Sequence, residues 1–92
     1  MKTNTLRKLI VKKGDFLQRR GELDTKVYYV RSGLLRSFCV DEKGKEHIFM
    51  FAPEGWIVAD SVPPDKPSSL NIQALEDSVV LMSEKALDIK PD

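Results

Sequence analysis

Short apolar runs alternate with polar, glycine-bearing breaks along most of this chain, and the period of that alternation is the period of a β-sheet. Leu6 to Val11 suits either the end of a short amphipathic helix or the start of a strand, and Lys12-Lys13-Gly14-Asp15 then reads as a turn. Phe16 and Leu17 open a short strand that stops at Arg19-Arg20-Gly21-Glu22. Lys26 to Arg31 is rich in β-branched and aromatic residues, which suit a pleated, half-buried surface, and Ser32-Gly33 ends it. Leu34 to Val40 follows, with Leu35, Ser37 and Cys39 on one face and Leu34, Arg36, Phe38 and Val40 on the other. Both faces are largely apolar, so this strand is expected to be covered on both sides.

Asp41-Glu42-Lys43-Gly44 is the clearest hairpin signal, a type I turn with glycine where positive φ is required, leading into a strand over Glu46 to Phe51. Pro53-Glu54-Gly55 turns the chain into Trp56 to Ala59. From Asp60 to Ser69 the composition changes, because Pro63, Pro64 and Pro67 remove three backbone donors, and a loop is expected there. Asn71 to Ala74 and Ser78 to Met82 form the last two strands. Ser83, followed by Glu84 and Lys85, reads as the N-cap of a helix that has barely begun before Pro91. About eight short strands with turns every eight to twelve residues describe a mainly β jelly-roll with short terminal helical segments. Such folds commonly hold a ligand in the interior or mouth of the roll.

The 92 residues make one domain, and 41% hydrophobic content supplies one modest core. Fifteen basic and fourteen acidic residues leave a net charge of +1, so no global field draws the chain to nucleic acid or an anionic membrane. Charge is uneven all the same. Lys2, Arg7, Lys8, Lys12 and Lys13 precede any acid, whereas the stretch from Leu75 to Asp92 has five acids and two lysines; both read as solvated ends. The lone Cys39 excludes an internal disulfide or a four-thiolate metal site and reads as a buried, inert thiol in a reducing cytoplasm. No apolar run reaches the roughly 20 residues of a membrane span and no secretory signal opens the chain, so a soluble, cytoplasmic protein is expected.

The succession KGDFLQRRGE, VYYVRSGLLRSF, DEKGKEH, PEGWIV and QALEDSVVLMSEKAL resembles the effector domain of bacterial Crp/Fnr-type transcription regulators, the cyclic-nucleotide-binding-like β-roll, from about Leu9 to Leu87. Each motif alone is weak; their order and spacing together are specific. The resemblance implies that Gly14, Gly21, Gly33, Gly44 and Gly55 are structural turn glycines. It also implies a phosphate-binding cassette built from a Gly-Glu pair, a short helix and Arg-Ser/Thr-Ala. There the glutamate accepts from a ribose hydroxyl, the arginine pairs with the cyclic phosphate, and free backbone amides complete an anion nest.

Mapped on this chain, the Gly-Glu pair falls on Ala59-Asp60 and Arg-Ser-Ala on Ser68-Ser69-Leu70. The arginine is missing, and the three prolines spoil the short helix. Losing a charge-assisted bidentate contact costs about 1.5–3 kcal/mol, tenfold or more in affinity. Lys66 is the nearest substitute, as a point charge. The ligand-binding positions implied are therefore Gly55, Trp56, Ala59, Asp60, Lys66, Ser68, Ser69 and Leu70. For Trp56 a place in the core competes with a role in stacking on a ligand.

His47 is the only histidine and reads as exposed or structural. A cupin-like metallo-enzyme needs two or three histidines and a carboxylate, so that chemistry is excluded for one chain, and no cofactor is expected. Cys39 and His47 would face each other under only one hairpin register, without an orienting third group, so no catalytic site is expected. Haem ligation through His47 or Cys39 is the remote remaining cofactor. Complete regulators of this family continue into a dimerisation helix and a helix-turn-helix, and the 92 residues hold neither, so no DNA binding by this chain alone is expected. The leading reading is an effector-sensing regulatory domain that takes a small molecule other than cyclic AMP, or none. A protein-interaction module with a degenerate pocket and a genuine cyclic-nucleotide-binding domain are the alternatives. Self-association as a homodimer is expected if apolar surface is left open.

Overall fold

The computed structural model describes residues 6–63 and 65–85. They contain eight strands: β1 (Arg7–Val11), β2 (Phe16–Gln18), β3 (Lys26–Ser32), β4 (Leu34–Val40), β5 (Glu46–Pro53), β6 (Ile57–Ala59), β7 (Asn71–Ala74) and β8 (Ser78–Glu84). Two four-stranded antiparallel sheets result, in the orders β1-β8-β3-β6 and β2-β7-β4-β5. Strands that follow one another in sequence mostly sit in opposite sheets, which is the jelly-roll topology expected.

Within Leu6 to Val11, Arg7–Val11 is settled as a strand, paired along its length with β8. At the other end Ser83 and Glu84 do not cap a helix. They continue β8, where Ser83 lies opposite Val27 and Glu84 opposite Lys26. The partner strand β3 offers ladder bonds that a local capping signal cannot weigh. The rest of the expected terminal helix lies outside the described residues.

Between the sheets Tyr28, Val30, Leu35, Ala52, Val58, Ile72, Ala74 and Val80 form the core, with Leu9, Val11, Leu17, Met50 and Met82 packed against it. In β3 the alternation is plain: Tyr28 and Val30 point inward while Tyr29 and Arg31 are exposed. Burial, followed by the nearby Glu22 charge, pushes the Tyr28 phenol up to about 12, and its hydroxyl donates to the Leu17 carbonyl at 3.0 Å.

The expectation that β4 is covered on both faces holds for Phe38, but the cover is not a second layer. Leu35 and Ser37 face the core, while Phe38, 3% exposed, lies on the outer face. There the Arg36 guanidinium sits 3.8 Å above the Phe38 ring, and Arg19 sits 3.9 Å above Phe16, whose ring centroid is 6.2 Å from that of Phe38. Arg36 is fixed in turn by Glu46 (2.8 and 3.2 Å) and by Gln73 (2.8 and 3.0 Å). A planar cation lies well on an aromatic face and still keeps polar edges for water. Cys39, expected to be buried, is only half-buried.

All five glycines have positive φ, as the resemblance implied. The clearest requirement is at Gly33, between β3 and β4, with φ +102°. A Cβ there would stand 2.1 Å from Ser78 Oγ, the atom that receives the Leu34 amide at 3.1 Å. Gly44, φ +83°, has nothing within 4 Å of a Cβ. Gly33→Ala is therefore expected to cost about 3–5 kcal/mol, through backbone strain plus overpacking, whereas Gly44→Ala costs about 1–2 kcal/mol, from strain alone. Urea unfolding of the two variants measures the difference; equal losses would refute the role given to the Ser78 contact.

Candidate functional site

β6 ends at Ala59, and the next side chain, Asp60, turns into the protein. Asp60 is 3% exposed although a connecting loop follows it. Its Oδ2 accepts from the amides of Ser69 (2.8 Å) and Leu70 (3.0 Å) and from Gln18 Nε2 (3.3 Å). Its Oδ1 accepts from the Ser69 hydroxyl (3.0 Å) and the Val62 amide (3.2 Å). Burial works to raise the carboxyl pKa, but the bonds from Ser69, Val62 and Leu70 outweigh it and hold Asp60 below the usual aspartate value. The carboxylate is thus ionised and saturated.

Gln18 reaches this cluster because of an irregularity in β2. Phe16 pairs with Gln73 and Gln18 with Ile72, so Leu17 is an extra residue and Gln18 swings to the core face. Its Nε2 donates to the Leu70 carbonyl at 2.8 Å as well as to Asp60, which fixes the amide orientation, since both partners only accept. Its Oε1 is buried without a hydrogen-bond partner. On the backbone side of the same turn the Lys85 ammonium donates to the carbonyls of Asp60 and Val62. The sequence reading missed both residues. Simple alternation puts Gln18 on the outer face with Phe16, and Lys85 was assigned to a helix.

Ser68 sits where the resemblance places an arginine, and it is 3% exposed. Its hydroxyl donates to the Arg19 carbonyl (2.7 Å) and accepts from the Glu22 amide (3.2 Å), while its own amide donates to the Glu22 carbonyl (2.8 Å). The Gly21 amide donates to the Ser68 carbonyl at 2.9 Å. Ser68 is a fastener for the turn from Arg19 to Glu22. Lys66 is exposed, and among the described residues its side chain makes no ion pair.

Of the eight positions implied by the resemblance, Asp60, Ser69 and Leu70 are bonded into one cluster, with Ser68 adjoining. Gly55 and Trp56 are tied elsewhere: Gly55 N donates to the Val30 carbonyl (2.8 Å), Trp56 N to that of Pro53 (3.0 Å), and Val30 N to that of Trp56 (2.9 Å). Trp56 is 51% exposed, so of its two competing readings the place in the core is overturned. Ala59 is an exposed member of edge strand β6, paired with Val27.

The hairpin needs a further correction. Cys39 and His47 are opposite each other, and Asp41 supplies the orienting group thought to be lacking, its Oδ2 2.9 Å from His47 Nε2. Asp41 also caps the turn, accepting from the amides of Lys43 and Lys45 at 2.9 Å each. No hydrogen bond joins Cys39 to His47 among the described contacts, and no group of three potential metal ligands forms among the described residues. The arrangement orders a turn rather than a nucleophile.

With this geometry in hand, the chain was compared with known proteins. The family profile of the cyclic nucleotide-binding domain matches residues 8–86. The chain belongs to the cyclic nucleotide-binding domain family. Within it, the transcriptional activator protein Anr of Pseudomonas protegens is 37% identical over 70 residues, 76% of this chain and 29% of the relative. Among solved structures, the sensor domain of the transcriptional regulator DNR from Pseudomonas aeruginosa superposes with a TM-score of 0.80 at 21% identity, covering 87% of this chain and 55% of that one. The catabolite activator protein of Thermus thermophilus gives 0.77 at 22%, covering 86% and 38%. These two share the fold, and the resemblance to Crp/Fnr-type regulators is upheld. The chain spans 29% of the length of the Anr protein it matches.

Because the folded carboxyl of Asp60 titrates below its unfolded value of about 3.9, its stabilisation is complete above that value and disappears as pH falls through the folded pKa. Asp60→Asn, which swaps an anion for a weaker acceptor, is expected to cost about 2–4 kcal/mol at pH 7. The gap to wild type narrows below about pH 4. Chemical denaturation of both proteins at pH 7 and about pH 3 checks this. Asp41 and Glu46 titrate in both, so a gap that stays constant would sink the role of Asp60.

Proposed function

We propose that this chain is a Crp/Fnr-type regulatory domain that senses a small effector other than a cyclic nucleotide, or none, and passes its state to elements beyond the described residues. The observation that carries the reading is Ser68. The position at which a cyclic phosphate would meet a guanidinium carries instead a neutral, buried hydroxyl committed to the Arg19–Glu22 turn. Pro63 and Pro67 further subtract amides from the loop, and exposed Lys66 offers only a hydrated point charge. Signalling follows if an effector has different affinities for two arrangements of the roll and what comes after it. The name of the Anr relative supports transcription regulation as the setting. No helix among the described residues is long and apolar enough to cross a membrane, which accords with a cytoplasmic regulator.

A ligand at 100 times its Kd stabilises by about 2.7 kcal/mol, and a domain of this size moves by about 4–8 °C per kcal/mol. Cyclic AMP or cyclic GMP at about 1 mM is expected to leave Tm unchanged, so even a site with Kd near 10 μM is absent. A shift of several degrees with either nucleotide in thermal-shift measurements would overturn the reading.

The second reading, an interaction module that pairs with its own copy, is supported by a run of exposed apolar side chains. Phe49 is 70% exposed, Ile57 59%, Phe51 53% and Trp56 51%. A net charge of +1 offers little repulsion between copies. Sedimentation at tens of micromolar protein is expected to show a dimer that Phe49→Ser together with Ile57→Ser returns to monomer. A wild-type monomer at that concentration would remove this reading.

A further inference from the structure

The Asp60 cluster has the form of a bound-anion site whose anion belongs to the chain. Successive amides of Ser69 and Leu70 converge on one oxygen, and the Val62 amide and the Ser69 hydroxyl converge on the other. Convergent backbone amides of this kind form a concave nest complementary to an anion. The side chain that fills it is buried, and Gln18 closes it from the core side. The turn that delivers it is held from behind, because the Lys85 ammonium donates to the Asp60 and Val62 carbonyls.

We propose that Asp60 is an intramolecular ligand: its carboxylate occupies an oxyanion nest formed by Val62, Ser69 and Leu70 and closes that nest to external anions. The closure has two parts. Every converging donor is already spent on Asp60. A second anion brought alongside would also meet the like charge of Asp60 in a partly buried site, where repulsion is stronger than in water. The chemical class of ligand that fits the vacated nest is a small oxyanion, such as inorganic phosphate. The inference rests on the reading that no cyclic nucleotide is held here and adds what holds the place instead.

Asp60→Ala strips the anion and leaves the donors in place, and Asp60→Asn refills the position with a neutral acceptor. In thermal-shift titrations with inorganic phosphate, at ionic strength matched with chloride, Asp60→Ala is expected to recover at least about 5 °C of its lost Tm. Asp60→Asn should recover less, and wild type should not respond. Phosphate that shifts wild type as much as Asp60→Ala, or a folded Asp60→Ala that ignores phosphate, overturns the proposal. If Asp60→Ala does not fold, wild type itself decides by amide NMR. The Val62, Ser69 and Leu70 signals must move together in a single acid titration below the ordinary aspartate value. Independent or absent titration of those three amides refutes self-ligation. Cyclic AMP binding by wild type would undo the functional reading and the closure to external anions together, whereas a folded Asp60→Ala that ignores phosphate undoes self-ligation alone, so the two failures are distinguishable.

Discussion

The carboxylate of Asp60 is where the two sheets of this roll are tied together at one end. It leaves β6 of one sheet and receives bonds from the residues that lead into β7 of the other, while Gln18 joins β2 to the same point. Lys85, just past β8, fastens the turn's carbonyls. Three strand ends therefore depend on one carboxylate, and a fourth, that of β8, is fastened to the same turn through its backbone. In a buried setting such a group is tolerable only when its acceptor capacity is filled, and here five donors fill it. The loop from Asp60 to Leu70 can be rich in proline for the same reason. Its order comes from this anchor and from Ser68, not from a ladder of its own.

A second polar arrangement covers the outer face of one sheet. The outer face of the sheet β2-β7-β4-β5 carries Phe16 and Phe38, which bare strands would leave to water. Arg19 and Arg36 lie flat on those rings, and Glu46 and Gln73 fix Arg36. Arg36 holds Glu46 below its usual carboxylate range through that hydrogen bond, against a small opposing effect of burial. The two cations thus cover Phe16 and Phe38 on that face, whereas Phe51, opposite Arg36 in β5, stays exposed. Exposed apolar side chains include Phe49, Phe51, Trp56 and Ile57, on and after β5, and Ile10 and Leu23 elsewhere.

Legibility in the sequence followed the range of the interactions involved. The span Leu34 to Val40, the Asp41–Gly44 hairpin and the turn glycines were readable because alternation, capping and positive φ are local properties. The end of β8 was not. Ser83-Glu84-Lys85 has the local look of a helix start, and only pairing with Val27 and Lys26 keeps the first two extended. Gln18 was hidden by one extra residue in β2, which inverts the face of everything after it. Trp56 was misplaced because an aromatic beside a turn glycine gives no sign of which way the turn exposes it.

By itself the sequence determined that this is a glycine-punctuated β-roll of Crp/Fnr type, since strand period and turn chemistry are written in order along the chain. Only the tertiary structure decided what Ser68 and Asp60 bond to. Ser68 meets the Arg19–Glu22 turn, and Asp60 meets Ser69, Leu70 and Gln18, across separations in sequence that no local pattern spans. The physical reason is that a carboxylate becomes a ligand only when folding brings amides to it and removes the water that would otherwise satisfy both.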